Sequence, residues 1–386
     1  MEDIAFFLLF LLTINNMSLK GYNNFFKDYA DLKNVLSVRG IFVWLIFFFN
    51  HNKNKNNKQK YINEIILKFL GQKLSSMFFF YSGYGIYESI KTKNKYVKYL
   101  PKKALNFFIK MQIIHLLYLI RNSFFDIYEK NMTFKNLFLS IFLKSTLGNS
   151  NWFIYNIILY YLYAFISFIF IKNKKYNFLG AISLIIFCIL HVFFTYYLYQ
   201  YKKLYYVDNA LPFILGILYS LIRKYSDKLV MINDFIYYGI VSSFIIILYV
   251  FYIHAKDSLL INNFINGTFS ITIILITMKV RLDNEFLKFL NIHSFSIYLL
   301  QNLILQVCKN KNLFNKHEFI RIFIEFLFTI FFSTTFDFIM VFIDKYFKRE
   351  DGHIKNIGVQ NNGDSVDKIN DTEMSKSIPN ILNLNN

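Results

Sequence analysis

Hydrophobic residues fill most of the chain in continuous runs, which short segments rich in Lys and Asn separate. The runs do not alternate between apolar and polar positions, as the strands of a membrane β-barrel would. A helix that crosses the hydrocarbon core needs about 20 mainly apolar residues, and it satisfies its own backbone hydrogen bonds. The pattern therefore predicts an all-α, polytopic transmembrane helix bundle with about ten spanning helices. We place these helices near 35–50, 74–90, 104–120, 152–171, 177–199, 208–222, 234–253, 264–279, 286–308 and 318–343.

Both ends of the chain differ from this central region. Residues 4–14 (IAFFLLFLLTI) are apolar, but at about 1.5 Å per residue they reach only half-way across the hydrocarbon core. Because Glu2 and Asp3 precede them instead of Lys or Arg, we expect a retained helix and not a cleaved signal peptide. From residue 350 onward Asn, Asp, Ser and Lys replace the apolar runs, which predicts disorder. The predicted organisation is a short apolar helix with a connecting segment (1–34), a transmembrane domain (35–349) and a disordered polar tail (350–386).

Composition and charge support a multi-pass protein of the cell membrane, with membrane lipid as a partner. The chain is 55% hydrophobic and has a mean hydropathy of +0.35. Its formal net charge is +19, but Lys and Arg lie in short clusters between apolar runs, so we predict no nucleic-acid partner. If the Lys-rich loop at 91–103 is cytoplasmic, the C-terminal tail is cytoplasmic too. Cys188 and Cys308 lie in apolar runs without the spacing of metal ligands, so we predict no metal site.

Four segments carry a resemblance to a known family. They are VRGIFVWLIFF (38–48), MFFFYSGYGIYESI (77–90) with the basic stretch YVKYLPKKALNFF after it, NSNWFIYNIILYYLYAF (149–165) and SFSIYLLQN (294–302). In this order they resemble the acyltransferase-3 family of integral membrane acyltransferases. That family moves acyl groups, commonly acetyl, onto sugars of cell-surface glycans. The resemblance extends over residues 1–310.

The chain departs from the family pattern in its first helix. The family places ten residues between a basic residue and a His that acts in acyl transfer. Counted from Arg39, that position is Asn50, and His51 follows one residue later, which rotates its side chain by about 100° on a helix. The late segment carries Gln301 where the family often has His. Two alternatives follow: His51 acts through a local adjustment such as a π-bulge, or the chemistry is lost or relocated.

The resemblance implies an acyl transfer, and this chemistry suggests roles for the residues of the first helix. A hydroxyl attacks a thioester only with the help of a base, and His is suited to that task near neutral pH. We therefore expect His51 to act as general base and Asn50 to orient it or to donate a hydrogen bond. Arg39 would bind the donor or stabilise charge. Arg39 and His51 lie roughly 16–18 Å apart along the helix, which fits the extended pantetheine arm of acetyl-CoA as acyl donor, with no permanently bound cofactor.

Other residues near these segments have two interpretations each. Lys102 and Lys103 could bind the phosphates of coenzyme A as point charges, or they could anchor the helix on the cytoplasmic side. The small residues of the second helix could line a substrate path, or they could allow tight helix packing. Trp152 could stack on the substrate or anchor its helix at the membrane interface. The predicted substrate path consists of Ser82, Gly83, Tyr84 and Trp152.

Several ionisable residues lie inside apolar runs, where they are functional candidates by default. His115 and His191 could equally be neutral packing residues. Arg321 and Glu325 stand four residues apart on the last helix, a spacing at which they can neutralise each other. Asp337 has no such partner and needs one from another helix. Three further histidines at predicted interfaces are assigned no role: His254, His293 and His317.

We interpret the chain as a membrane O-acyltransferase for groups other than amino-acyl groups, which transfers an acyl group, expected to be acetyl, to a hydroxyl of a cell-surface or exported carbohydrate. The main alternative is a non-catalytic descendant of the family or a lipid-linked glycan transporter with the same bundle. A further alternative is an acyltransferase that acts on a small intracellular molecule.

Overall fold

The computed structural model describes most of the chain. It covers position 11 and residues 15–53, 62–93, 95–124, 152–171, 173–198, 207, 209–254, 258–310 and 318–359. The chain divides into two compact units, Met1–Asp337 and Phe338–Asn386. The second unit is described from 338 to 359, where it is helical. Predictions for residues 4–14, other than position 11, and for residues 360–386 lie outside the described residues.

Helices dominate the described residues. We number them α1 Leu32–Lys53, α2 Ile62–Thr92, α3 Tyr96–Phe124, α4 Trp152–Phe168, α5 Asn177–Leu198, α6 Ala210–Val230, α7 Asp234–His254, α8 Leu259–Thr277, α9 Glu285–Ile292, α10 Ser294–Asn310 and α11 Glu318–Val359. A short 3₁₀ turn, Lys174–Tyr176, precedes α5. Two strands of three residues, β1 (Met17–Leu19) and β2 (Val280–Leu282), pair antiparallel. The small sheet was not predicted.

The helix positions predicted from the sequence are found, with two differences. One predicted helix, 286–308, is two helices, because the chain breaks at His293 between α9 and α10. Within the described ranges, six helices are long and apolar enough to cross a membrane by length and composition, so the predicted number of about ten is not confirmed. These six are Lys33–His51, Tyr96–Phe124, Lys174–Tyr197, Asp234–Phe251, Leu259–Thr277 and Ile320–Ile343.

Large apolar side chains cover the outer faces of several helices. Phe193 and Phe194 on α5, Ile246 and Val250 on α7, and Phe331 on α11 are all exposed. A soluble protein rarely exposes apolar residues over such continuous surfaces, whereas lipid chains accept them. The apolar surface therefore agrees with the membrane character predicted from the sequence.

The α2–α6 interface brings two helix backbones into contact. A Cβ atom on Gly83 would lie 2.2 Å from the carbonyl oxygen of Phe213, and one on Gly216 would lie 2.1 Å from that of Phe80. Such distances exclude any side chain at these two positions unless the helices separate. In membrane helices small residues at an interface allow this close approach. Of the two interpretations of Gly83, tight packing is the one that the structure supports.

The segment before α1 is attached to the connection between α8 and α9. The backbone N–H of Lys20 donates to the carbonyl of Lys279, next to the β1–β2 pairing. Lys279 forms a buried ion pair with Asp234 at 2.5 Å, and the Asp234 carboxylate also accepts from the backbone N–H of Asn23 at 3.0 Å. Gly40 on α1 packs against the backbone of Leu287 on α9, where a Cβ would lie 2.0 Å from the carbonyl oxygen. These contacts fix the start of α1.

Replacement of Gly216 by Ala should destabilise the protein, because the new Cβ would collide with the backbone of α2. We expect a loss of about 1–3 kcal/mol in the free energy of unfolding, as for other overpacked interfaces. Gly239→Ala is the matched control, since a Cβ at Gly239 on α7 has nothing within 4 Å. Thermal unfolding of the detergent-solubilised variants measures the difference. Equal midpoints for the two variants would contradict the backbone contact.

Candidate active site

A cavity of about 530 Å³ lies among α1, α2, α3, α4 and the α9–α10 break. Arg39 and Lys103 are its charged lining residues, and no Asp or Glu lines it within the described part of the chain. Two positive charges without a lining carboxylate favour an anionic ligand. The polar lining residues are Arg39, Ser75, Tyr81, Ser82, Ser89, Tyr96, Lys103, Tyr161, Asn291, Ser294, Tyr298 and Gln301.

Helix α1 presents one face to the cavity. Leu36, Arg39, Val43 and Ile46 line it, and their spacing of three or four residues places them on one side of the helix. Asn50 follows four residues after Ile46 and continues this face. The helix is α-helical over its whole length, Leu32–Lys53, so no π-bulge absorbs the shift of one residue at His51. The side chain of His51 is therefore rotated by about 100° from that of Asn50.

His51 contacts α11. Its Nδ1 lies 2.6 Å from Oε2 of Glu325, and the two side chains are only 3% and 4% exposed. Arg321 lies 3.7 Å from the other carboxylate oxygen, so the predicted Arg321–Glu325 pair is present but shares Glu325 with His51. The sequence analysis missed this second partner. A carboxylate bound at Nδ1 favours the tautomer with the proton on that atom, which leaves the lone pair on Nε2.

The second ring nitrogen of His51 has a different environment. Nε2 is buried and has no hydrogen-bond partner among the described residues. An imidazole that is oriented through Nδ1 and has a free Nε2 has the arrangement of a general base. His51 does not line the cavity, since it lies five residues beyond Ile46, about 7 Å further along α1.

Arg39 lies in the cavity wall, far from His51. Its guanidinium lies 5.3 Å from the centroid of the Phe78 ring, and its buried Nε has no hydrogen-bond partner within the described residues. Twelve residues separate it from His51, which corresponds to about 18 Å along the axis of α1. The two side chains therefore act on different parts of any ligand.

Only one of the four predicted substrate-path residues lines the cavity. Ser82 does, together with its neighbour Gly85, whereas Gly83 faces the backbone of α6. The hydroxyl of Tyr84 accepts a hydrogen bond from Arg223 at 2.8 Å, on the side towards α6. Successive residues of a helix point about 100° apart, so consecutive positions cannot share a path. Gly83 and Tyr84 therefore do not line this cavity, and the substrate path itself stays a prediction.

Trp152 is also placed away from the cavity. Its ring stacks on Phe79 at a centroid distance of 6.2 Å, while the next residue, Phe153, lines the cavity. Of the two lysines, Lys103 lines the cavity and donates to the hydroxyl of Tyr96 at 3.2 Å. Lys102 is exposed and is not a lining residue.

Several lining residues were not predicted. On α2, Ser75, Gly85 and Ser89 join the predicted Ser82 at helical spacing and form with it a face of small residues, which extends for about 21 Å. This periodicity was a signal that could have identified them. Gln301 donates through Nε2 to the carbonyl of Tyr298 at 3.3 Å, and its buried Oε1 has no partner within the described residues.

A second His–carboxylate pair lies beside the cavity. Asp337 accepts from Ser296 at 2.6 Å, contacts Nδ1 of His293 at 2.7 Å and lies 3.5 Å from Nζ of Lys110. The expectation that Asp337 needs a partner from another helix is confirmed. Asn291 and Ser294, on either side of this break, line the cavity. The cluster therefore holds the break that forms part of the cavity wall.

The other predicted candidates lie elsewhere. Nδ1 of His191 is 3.3 Å from the hydroxyl of Tyr163, within a group of aromatic rings, and neither His191 nor the buried His115 lines the cavity. Within the described ranges no group of three or more His, Cys, Asp or Glu is placed to hold a metal ion.

Comparison with known proteins gives one match. The acyltransferase-3 family model, described as an acyltransferase domain, matches residues 35–343, which is most of the chain. The matched range contains Arg39, Asn50, His51, Lys103 and Glu325. No curated protein and no solved structure matches the chain.

Removal of Glu325 should destabilise the protein, because His51 would remain buried without its carboxylate and Arg321 would lose the same ion-pair partner. We expect Glu325→Ala to lower the free energy of unfolding by about 3–5 kcal/mol. The double variant His51→Ala/Glu325→Ala should lose less than the sum of the two single variants, by about 0.5–3 kcal/mol. Unfolding curves of the three variants in one detergent measure this coupling. Additive losses would show that the two side chains do not interact.

Proposed function

The chain belongs to the acyltransferase-3 family, and we propose that it transfers an acetyl group from a cytoplasmic thioester such as acetyl-CoA to a hydroxyl of a cell-surface or exported carbohydrate. The observation that carries this proposal is the buried His51–Glu325 pair, in which Nε2 of His51 is free to accept a proton. An electropositive cavity along the same helix supports an anionic donor.

In the proposed reaction the acceptor hydroxyl attacks the carbonyl carbon of the thioester while Nε2 of His51 takes the hydroxyl proton. Glu325 stabilises the imidazolium that forms, as a carboxylate at Nδ1 does in other His-based catalysts. The bond between the carbonyl carbon and sulfur then breaks, and the thiolate leaves with the proton from His51. The products are an ester and the free thiol. A general base of this kind typically contributes 10²–10⁴-fold in rate.

The cavity provides room for an extended donor. Its lining residues on α2, from Ser75 to Ser89, extend for about 21 Å, and the α1 residues that line it lie on the Arg39 side of His51. A donor with its phosphates near Arg39 and Lys103 could direct its thioester towards the other end of the cavity. Asn50 continues the lining face of α1 and would orient the thioester or the acceptor.

The proposed topology places the donor side in the cytoplasm. Lys103 lines the cavity and belongs to the Lys-rich segment at 91–103, which the positive-inside rule places in the cytoplasm. We propose ten crossings, in which α2, α4, α6 and α10 join the six helices that are long and apolar enough to cross a membrane. Alternation of these crossings places the chain beyond α11 in the cytoplasm.

Base-labile ester on the surface glycans of the host tests this proposal. Deletion of the gene should remove the ester, and both His51→Ala and Glu325→Gln at equal expression should reduce it at least 100-fold, because each removes part of the base. Arg223→Gln is a control, since its hydrogen bond to Tyr84 lies outside the cavity.

Two outcomes would contradict parts of the proposal. If deletion removes the ester but His51→Ala does not, the base is another residue, and Asn50 and His191 are the next to test. If deletion leaves all acyl esters unchanged while transport of a lipid-linked glycan is lost, the transporter alternative replaces the enzyme.

The two adjacent lysines provide a paired test of donor binding. Lys103→Ala should raise the KM for acetyl-CoA about tenfold with little change in kcat, because a charge that contacts the bound donor is lost. Lys102→Ala should leave both constants unchanged, since Lys102 does not line the cavity. Initial rates at varied acetyl-CoA concentration, in proteoliposomes that contain the acceptor, measure both constants. An equal effect of the two substitutions would indicate only a loss of surface charge.

A further inference from the structure

The side-chain amide of Gln301 has a fixed orientation in the cavity wall. Gln301 lines the cavity from α10 and is only 1% exposed. Its Nε2 donates a hydrogen bond to the backbone carbonyl of Tyr298 at 3.3 Å. A carbonyl oxygen can only accept, so rotation of the amide by 180° would place two acceptors against each other. The contact therefore assigns the donor nitrogen to Tyr298 and leaves Oε1 for another partner.

The Oε1 atom of Gln301 is buried and has no hydrogen-bond partner within the part of the chain that the structure describes. An amide oxygen that has left water without gaining a hydrogen bond destabilises the folded protein. Because this oxygen is only an acceptor, a group that satisfies it must be a hydrogen-bond donor. An ionised phosphate and a thioester carbonyl carry acceptors alone. The group that fits Oε1 is therefore an O–H or an N–H.

Contacts along α10 show where in the cavity the amide lies. The ring of Phe295 contacts Phe107 of α3 at 4.8 Å, and all of these rings line the cavity. One turn later the ring of Tyr298 contacts Phe153 of α4 at 5.1 Å. Gln301 follows after another turn, and no later described residue of α10 lines the cavity. Two aromatic rings thus adjoin the amide at the last cavity-lining turn of this helix.

We propose that Gln301 is a specificity-determining residue that binds a hydroxyl of the acceptor through Oε1. The inference rests on the proposed function, in which Lys103 binds the anionic part of the donor. Lys103 lies one turn before Phe107 on α3, whereas Gln301 lies about 9 Å beyond Phe295 along α10. The amide is therefore remote from the donor phosphates.

The surroundings of Gln301 fit a carbohydrate. A sugar combines hydroxyls with apolar C–H faces, and the rings of Tyr298 and Phe153 offer an apolar surface next to the amide oxygen. Binding sites of this kind use few polar groups to fix the orientation of a ligand on an apolar wall. An amide does not titrate, so Gln301 binds and orients the hydroxyl and takes no part in proton transfer.

Gln306 provides a matched control on the same helix. Its buried Oε1 likewise has no partner among the described residues, but Gln306 does not line the cavity. Gln301→Met and Gln306→Met remove the same atoms and keep an unbranched side chain of similar length. A difference between the two variants therefore depends on the cavity and not on the loss of an amide from α10.

Transfer kinetics in proteoliposomes test the proposal, with acetyl-CoA as donor and the surface-glycan fraction of the host as acceptor. We expect Gln301→Met to raise the KM for the glycan fraction about five- to tenfold, because one hydrogen bond to the acceptor is lost, and to leave the KM for acetyl-CoA unchanged. Gln306→Met should change neither constant. Without substrate, the unfolding midpoint of Gln301→Met should not fall below that of the unaltered protein, because the substitution removes a buried oxygen that lacks a partner.

A binding measurement makes the test independent of catalysis. The glycan fraction should raise the unfolding midpoint of the unaltered protein and of Gln306→Met, since a ligand that binds only the folded state stabilises it. It should raise the midpoint of Gln301→Met much less. Such Gln301-dependent stabilisation in a protein that transfers no acyl group would support the site and refute the enzyme.

Three outcomes would refute the acceptor site. Acyl transfer with an unaltered KM for the glycan fraction in Gln301→Met refutes it and leaves the enzyme intact. A rise in the KM for acetyl-CoA alone assigns the hydrogen bond to an amide N–H of the pantetheine arm instead of the acceptor. A lower unfolding midpoint of Gln301→Met, with both KM values raised equally, shows that the amide is structural.

Discussion

The rotation of about 100° per residue in an uninterrupted α1 determines how the candidate site is built. Because α1 has no bulge, Arg39 and Asn50 lie on one face of the helix, which lines the cavity as far as Ile46, and His51 points in another direction. The imidazole of His51 points towards α11, where it contacts the carboxylate of Glu325. A shift of one residue relative to the family pattern thus does not leave the imidazole in lipid. It gives the imidazole a buried carboxylate partner.

Among the described residues, several buried or half-buried charged groups form sets that join different helices. Asp337 joins α11 to α3 and to the α9–α10 break, and the pair of Lys279 with Asp234 joins the start of α7 to the end of α8. Each set pairs a charge with an opposite charge, which lowers the free-energy cost of placing it in the hydrocarbon region. Arg39 differs because its surroundings are phenols and a benzene ring. This contrast distinguishes a cation available to a ligand from cations used in structural pairs.

Prediction from the sequence succeeded where the signal was local. The apolar runs located the helices, and the i, i+4 spacing of Arg321 and Glu325 identified a pair that exists. It failed at the α9–α10 break, because residues 286–308 remain apolar through His293 and a tertiary contact with Asp337 accompanies the break. The sequence also did not show that Ser82 lines the cavity while Gly83 and Tyr84 contact α6, since consecutive residues of a helix face different sides.

The amino-acid sequence by itself determined the membrane character, the helix positions and the family, because hydrophobic length and short motifs are properties of neighbouring residues. The tertiary structure alone decided that His51 contacts Glu325, 274 residues away, and that Arg39, Tyr81 and Tyr161 line one cavity. Such contacts depend on which face each helix turns to its neighbours. Backbone contacts at glycines and the satisfaction of buried charges fix those faces, and both require residues that are distant in the chain.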